Sequence, residues 1–360
     1  MLRKLLLAAA TAFSFFTSDG QDTTKSLTFS GSIDGYYRYN FSGKLNNYTS
    51  FTNSQSSFEL GMASFRADAT ALSGKVGTTV DLGFGRRAEE FSYNDGSNTS
   101  GSSTKNGFLS LAAIKQAFVT YSPVSKLKFT AGKFATHIGY ELLDAPLNRN
   151  YSMSYMFTNG PFFHTGLKAD ITAGPLGFMI GITNYTDQST ATTSTKNLIA
   201  QVSGGSKNGK LKVYLNYSGF GGSANGENPS GLKSLNQVDA VITGIICSKF
   251  NIGYNGTVQS RKPVTGSAGS WTGNALYLNF DPTEKIGLTL RSEYITDDKM
   301  IYYSSKNIFA NTLSLNAKIG PLTIIPELRF ESAQSNFYVK SNGAATKSTA
   351  SALLAAIYKF

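Results

Sequence analysis

Residues 308–333 read IFANTLSLNAKIGPLTIIPELRFESA. Leu313, Leu315, Ala317 and Ile319 alternate with Thr312, Ser314, Asn316 and Lys318. After a tight connection at 320–322, Leu322, Ile324, Leu328 and Phe330 alternate with Thr323, Glu327, Arg329 and Glu331. A period of two puts successive side chains on opposite faces of a strand. Two such runs joined by a short turn predict an antiparallel hairpin with one apolar and one polar face. The polar face carries charges of both signs two residues apart, which describes a wet surface.

The pattern recurs along the chain. Leu27, Phe29, Gly31 and Ile33 alternate with Thr28, Ser30, Ser32 and Asp34, and similar runs start at Val76, Leu211, Phe250 and Ile286. Short connections (72–76, 122–126, 173–176, 247–250, 281–285, 320–322) alternate with long polar ones (41–57, 85–108, 138–162, 184–196, 220–236, 259–270, 297–307, 334–348). Short turns at one end and long loops at the other describe an up-and-down membrane barrel whose long loops face outside the cell. The segments number about sixteen, within a range of 14–18, each near the 9–11 residues that a tilted strand needs to cross a bilayer. The expected fold is all-β: a transmembrane antiparallel β-barrel, one domain over residues 21–360.

The chain ends agree with this reading. Arg3 and Lys4 precede the apolar run Leu5–Phe16, too short to span a bilayer as a helix and suited to a secretory signal over residues 1–20, cut near Gly20. The final strand carries Leu354, Ala356, Tyr358 and Phe360 on one face. Such a terminal aromatic resembles the signal read by the barrel-assembly machinery, a partner expected through Phe360. The expected location is the outer membrane, with its lipids as surroundings.

Composition narrows the function. Formal charge is +11, and removing Arg3, Lys4 and Asp19 leaves 31 basic and 21 acidic residues, or +10. The positive residues are scattered, and charged residues make up 15% of the chain against about 25% in soluble domains, so nucleic acid is not an expected partner. One cysteine, Cys247, excludes a disulfide framework. No cofactor motif stands out. A soluble secreted β-sandwich would show the same alternation, but the density of mixed charge on the polar faces favours a water-filled lumen. The pore lining is expected to include Arg38, Arg66, Asp68, Asp81, Lys168, Asp170, Arg291, Glu293, Glu327 and Arg329.

One long connection differs from the rest. Residues 137–163 read HIGYELLDAPLNRNYSMSYMFTNGPFF, apolar where the other loops are rich in Ser and Thr. Such a loop must be buried, and folding inward against the wall would bury it. ELLDAP suits one or two helical turns stopped at Pro146. His137, Glu141 and Asp144 have helical spacing, which raises a metal site or an acid/base pair. Gly139 and the strand end at His137 argue against a shared helical face, so no catalytic or metal role is assigned. Glu141, Asp144 and Arg149 are instead expected at a pore constriction, facing wall residues such as Arg38, Arg66 and Lys168.

The same segment resembles the OmpL-like β-barrel porins (porin-2 family) of Gram-negative outer membranes. The matching positions are Gly132, Lys133, Phe134, Thr136, Gly139, Glu141, Asn148, Ser152, Pro161, Thr165 and Gly166. The resemblance implies an outer-membrane barrel with channel activity and supplies no catalytic residues. The expected function is passive diffusion of small hydrophilic solutes or ions. A surface-interaction or adhesion protein using its long loops is the alternative. A homotrimer packed through small outward residues of the second strand (Gly61, Ala63, Ala67, Ala69, Ala71) is one assembly open to such a barrel.

Overall fold

The computed structural model describes residues 25–96, 109–191, 193–221 and 231–360; the expected signal segment lies outside them. Sixteen antiparallel strands close into one barrel. They are β1 (Ser26–Asn40), β2 (Ser57–Ala71), β3 (Val76–Phe84), β4 (Ile114–Val124), β5 (Leu127–Ala135), β6 (Phe163–Ala173), β7 (Leu176–Asn184) and β8 (Lys196–Gly205). The second half comprises β9 (Leu211–Phe220), β10 (Leu232–Cys247), β11 (Phe250–Pro263), β12 (Gly269–Phe280), β13 (Ile286–Thr296), β14 (Asn307–Ile319) and β15 (Leu322–Ala333). A small hairpin in the last loop, β16 (Tyr338–Val339) with β17 (Ala345–Thr346), precedes the closing strand β18 (Ser348–Lys359).

Closure follows from pairing β18 with β1, from Ser32 opposite Lys359 to Asn40 opposite Ser351. Gly31 and Phe360 then exchange backbone hydrogen bonds, each 3.0 Å. The Phe360 ring lies beside Phe65, centroids 5.6 Å apart. No edge is left unpaired, which is the condition for a sheet to sit in lipid.

Burial is inverted relative to a sandwich. Outward Phe58 and Phe29 are 88% and 67% exposed, whereas inward Asp34, Arg291 and Thr312 are buried. The apolar faces therefore meet the membrane and the polar faces meet the lumen.

Two of the ladder's irregularities turn a residue inward that strict alternation would turn outward. Met62 pairs with Asp34 and Leu60 with Gly35, leaving Gly61 as an extra residue. Gly61 and Met62 both turn inward and are buried, so the outward phase assigned to Gly61 is corrected. A Cβ at Gly61 would overlap the Asp34 carboxylate and the Tyr151 hydroxyl. On β4, Gln116 pairs with Asp81 and Ile114 with Leu82, so Lys115 is the extra residue. Strict alternation would turn Lys115 toward lipid; the bulge aims it inward, where it is buried.

Candidate functional site

The segment between β5 and β6 packs against inward-facing residues of the barrel wall. It leaves β5 at Ala135, makes a short 3-10 turn at Ala145–Leu147, and runs through Arg149 and Tyr151 to a helix, Tyr155–Asn159, before β6. The expected helical turns ending at Pro146 do not form. Pro146 instead lies within the first turn of the 3-10 segment, where its missing N–H is not needed. Ser154 caps the later helix, its Oγ accepting from the Phe157 N–H at 3.0 Å. Arg149 reaches Asp281 in the β12–β13 turn, so the loop extends to the periplasmic end of the barrel.

Apolar contacts fasten the loop first. Met153, Phe157 and Phe162 pack with Phe51, Met62, Ala88 and Phe91. Tyr155 and Met156 pack with Trp271, Tyr277, Ile295 and Ile308. Tyr151 and Ala145 pack with Tyr36, Ile325, Leu353 and Ile357. The lumen wall from β12 round to β2 thus carries an inward apolar patch that the loop covers, and burial of this surface favours the inward conformation.

Charge fixes its orientation. Arg291, fully buried on β13, donates to Glu141 Oε1 at 2.5 Å, Glu293 Oε1 at 2.9 Å and the Ser152 carbonyl at 2.6 Å. Glu141 Oε2 accepts the Ser154 N–H at 2.7 Å, and Glu293 Oε2 accepts the Tyr155 N–H at 2.7 Å. Arg329 joins Glu293 and Glu331 at 3.1 and 2.9 Å. Glu327 accepts the Tyr151 N–H at 2.9 Å. Lys115 bridges Asp144 and Asp81 at 2.5 and 2.9 Å. Arg87, from the loop after β3, donates to the Leu143 and Tyr151 carbonyls. Buried charges are tolerable only when paired and hydrogen-bonded in this way.

The chain from residue 26 to residue 360 matches the family described as "Putative beta-barrel porin-2, OmpL-like". It belongs to that family. Its fold is shared with the outer membrane channel DcaP of Acinetobacter baumannii (12% identity, 94% of this chain and 99% of that one, TM-score 0.64). It is also shared with an anion-selective porin from Comamonas acidovorans (12%, 93% and 100%, 0.62) and with OmpT, an outer membrane protein of Vibrio cholerae (11%, 96% and 100%, 0.57). No curated protein sequence matches the chain. Membership of this porin family places the chain among outer-membrane β-barrel porins.

The positions that carry the resemblance divide between the barrel wall and the loop's docking. Gly132 adopts φ +133°, where a Cβ would strike the Ala117 carbonyl. Gly139, with φ +93°, donates its N–H to Asp239 on β10 at 3.1 Å. Asn148 spans the loop tip, accepting from the Leu142 N–H at 2.9 Å and donating to the Leu142 carbonyl. Ser152 supplies the carbonyl held by Arg291.

His137, Glu141 and Asp144 reach three different walls and share no helical face. His137 donates through Nε2 to the Tyr217 carbonyl at 2.9 Å, and burial keeps it neutral, its pKa lowered to about 4. Glu141 meets Arg291, and Asp144 meets Lys115. Arg149 lies away from both, paired with Asp281. The wall residues expected opposite the loop are engaged elsewhere. Arg38 donates to the Leu45, Asn46 and Ser54 carbonyls of the first loop, Arg66 pairs with Asp68, and Lys168 pairs with Asp170. Of the residues expected to line the pore, Arg38, Asp81, Arg291, Glu293, Glu327 and Arg329 are buried, whereas Arg66, Asp68, Lys168 and Asp170 keep contact with solvent.

Sequence reasoning missed Lys115, Arg87 and Asp281 as partners of the loop. Lys115 was hidden by its bulge. Arg87 stands in a long loop with no alternation to assign its direction, and Asp281 sits in a turn. An unpaired excess of carboxylates in an apolar loop is the one signal that cations must await it.

Proposed function

We propose that this porin is a passive diffusion channel for small hydrophilic solutes, narrowed by loop 138–162, with Glu141 and Asp144 setting charge at the narrow part. The observation that carries this reading is the anchorage of one inward loop to opposite walls, by Glu141 to Arg291 on β13 and by Asp144 to Lys115 on β4. Cavities of about 570 and 470 Å3 lie along its two ends, the first beside Thr158–Phe162 and the second beside Pro146–Arg149.

The test is single-channel recording of the purified barrel in planar bilayers, with reversal potentials in a KCl gradient. Wild type is expected to conduct steadily, and Glu141→Lys with Asp144→Lys is expected to change both conductance and ion selectivity. A folded double variant with wild-type values for both would show that this loop does not constrict the bore. A barrel that conducts nothing would end the channel reading itself.

A further inference from the structure

Among the described residues, the cavity of about 570 Å3 beside Thr158–Phe162 is lined by one cation, Arg261 at the end of β11. Arg261 is unlike the other arginines of the lumen. Arg291 and Arg329 are neutralised by glutamates, and the terminal nitrogens of Arg38 and Arg87 donate to backbone carbonyls. Among the described residues Arg261 makes no ion pair, and its two terminal nitrogens have no hydrogen-bond partner.

Its head group is nonetheless held rigidly. Nε–H donates to Gln259 Oε1 at 2.8 Å, and the guanidinium carbon sits 4.0 Å from the centroid of the Tyr302 ring. Gln259 is fixed in turn. Its Oε1 also accepts from the Tyr302 hydroxyl at 2.8 Å and Trp271 Nε1–H at 3.2 Å, and its Nε2 donates to Gln237 Oε1 at 2.9 Å. One face and one edge of the guanidinium are therefore occupied, and the edge carrying both terminal nitrogens is left for something else. A half-buried, oriented arginine without a counter-ion presents a fork whose spacing matches two oxygens of one acid group.

We propose that Arg261 is a capture site for solutes bearing a single carboxylate. This rests on the channel reading, since the captured solute is one that then crosses. Phosphate offers the same pair of oxygens, but Glu90 and Asp187 line the same cavity. Their carboxyl groups disfavour a dianion more than a monoanion, so the carboxylate is the class that fits. Capture must be weak, because a solute that is to pass must also leave.

Trp271 is the only tryptophan in the chain and is hydrogen-bonded to Gln259, so its fluorescence reports on this site. The experiment titrates the purified full-length barrel in detergent with sodium propionate at constant ionic strength. The expected result is a saturable change with half-saturation on the order of 1–10 mM. Propionamide, the uncharged analogue, should give none, and inorganic phosphate should bind at least several-fold more weakly. Arg261→Gln should abolish the propionate response, and Arg261→Lys, which keeps charge but loses the fork, should weaken it. No saturable response in wild type, equal responses to propionate and propionamide, phosphate binding as tight as propionate, or an unchanged curve in Arg261→Gln would each overturn the proposal. The wild-type comparisons decide without any variant if Arg261→Gln fails to fold. A barrel that conducts KCl yet ignores propionate refutes the site alone; one that titrates with propionate yet conducts nothing refutes the channel reading alone.

Discussion

Glu141→Gln isolates the electrostatic hold on the loop. In the native protein the carboxylate accepts from Arg291 Nη1 through Oε1 and from the Ser154 N–H through Oε2, at 2.5 and 2.7 Å, with the side chain buried. Glutamine keeps the shape but has one acceptor oxygen, so one of these two donors must face an NH2 group. A buried donor left without a partner costs about 1–3 kcal/mol, and the bond that remains loses its ionic assistance on the loop side. Arg291 retains Glu293 and the Ser152 carbonyl, which keeps the total at the lower end of the range for breaking buried charge contacts, about 3 kcal/mol. The barrel ladder is untouched, so the cost falls on the docked loop. At about 1.4 kcal/mol per factor of ten, the ratio of released to docked loop rises about 100-fold. Single-channel recording should then show added open-channel noise and excursions to a higher conductance level. A folded variant with native conductance, noise and ion selectivity would refute the idea that this contact holds the loop.

Two further outcomes follow from the same geometry. Asp187, in the loop after β7, accepts N–H groups from Phe162 and Phe163 and the Tyr93 hydroxyl, yet burial raises its pKa from 3.8 to about 7. The folded protein therefore holds more protons than the unfolded one between about pH 4 and 7, and stability falls as pH rises across that window; thermal melting and loop proteolysis against pH should show the loss, and Asp187→Asn should flatten it. Gly132→Ala should destabilise the β4–β5 hairpin by about 1–3 kcal/mol, because φ of +133° is foreign to side-chain-bearing residues and the new Cβ meets backbone atoms of Ala117 and Phe118. Heat-shifted gel mobility should show less folded barrel; a native melting profile would mean that the backbone at this position accommodates a side chain.

How much was legible varied with how local the determining physics was. The strand Phe163–Ala173 is bounded in the structure where alternation and the AGPL turn put it, and so are Leu176–Asn184 and Leu322–Ala333. The strand expected between the connections 85–108 and 122–126 begins instead at Ile114, after a short helix at Leu109–Ala112, and the one expected between 220–236 and 247–250 extends back to Leu232. In both cases the boundary lies beside a long loop, where ladder pairing to a neighbour rather than local pattern sets the strand's reach. The loop's apolar content announced that it must be buried, but not against what. The sequence could not show that Trp271, Ile295, Ile325 and Leu353 face inward as a patch, because an apolar residue in the polar phase of a strand looks like noise until its partner is known.

By itself, then, the sequence determined the barrel, its sidedness and the odd character of one loop. Each of these is written in periods of two and in turn lengths, which depend on neighbours a few residues away. The pairing of Glu141 with Arg291, of Asp144 with Lys115 and of Arg149 with Asp281 was decided only by tertiary structure. Those contacts join positions from 29 to 150 residues apart. One extra residue in a ladder, at Lys115, is enough to reverse which side of the wall a charge serves.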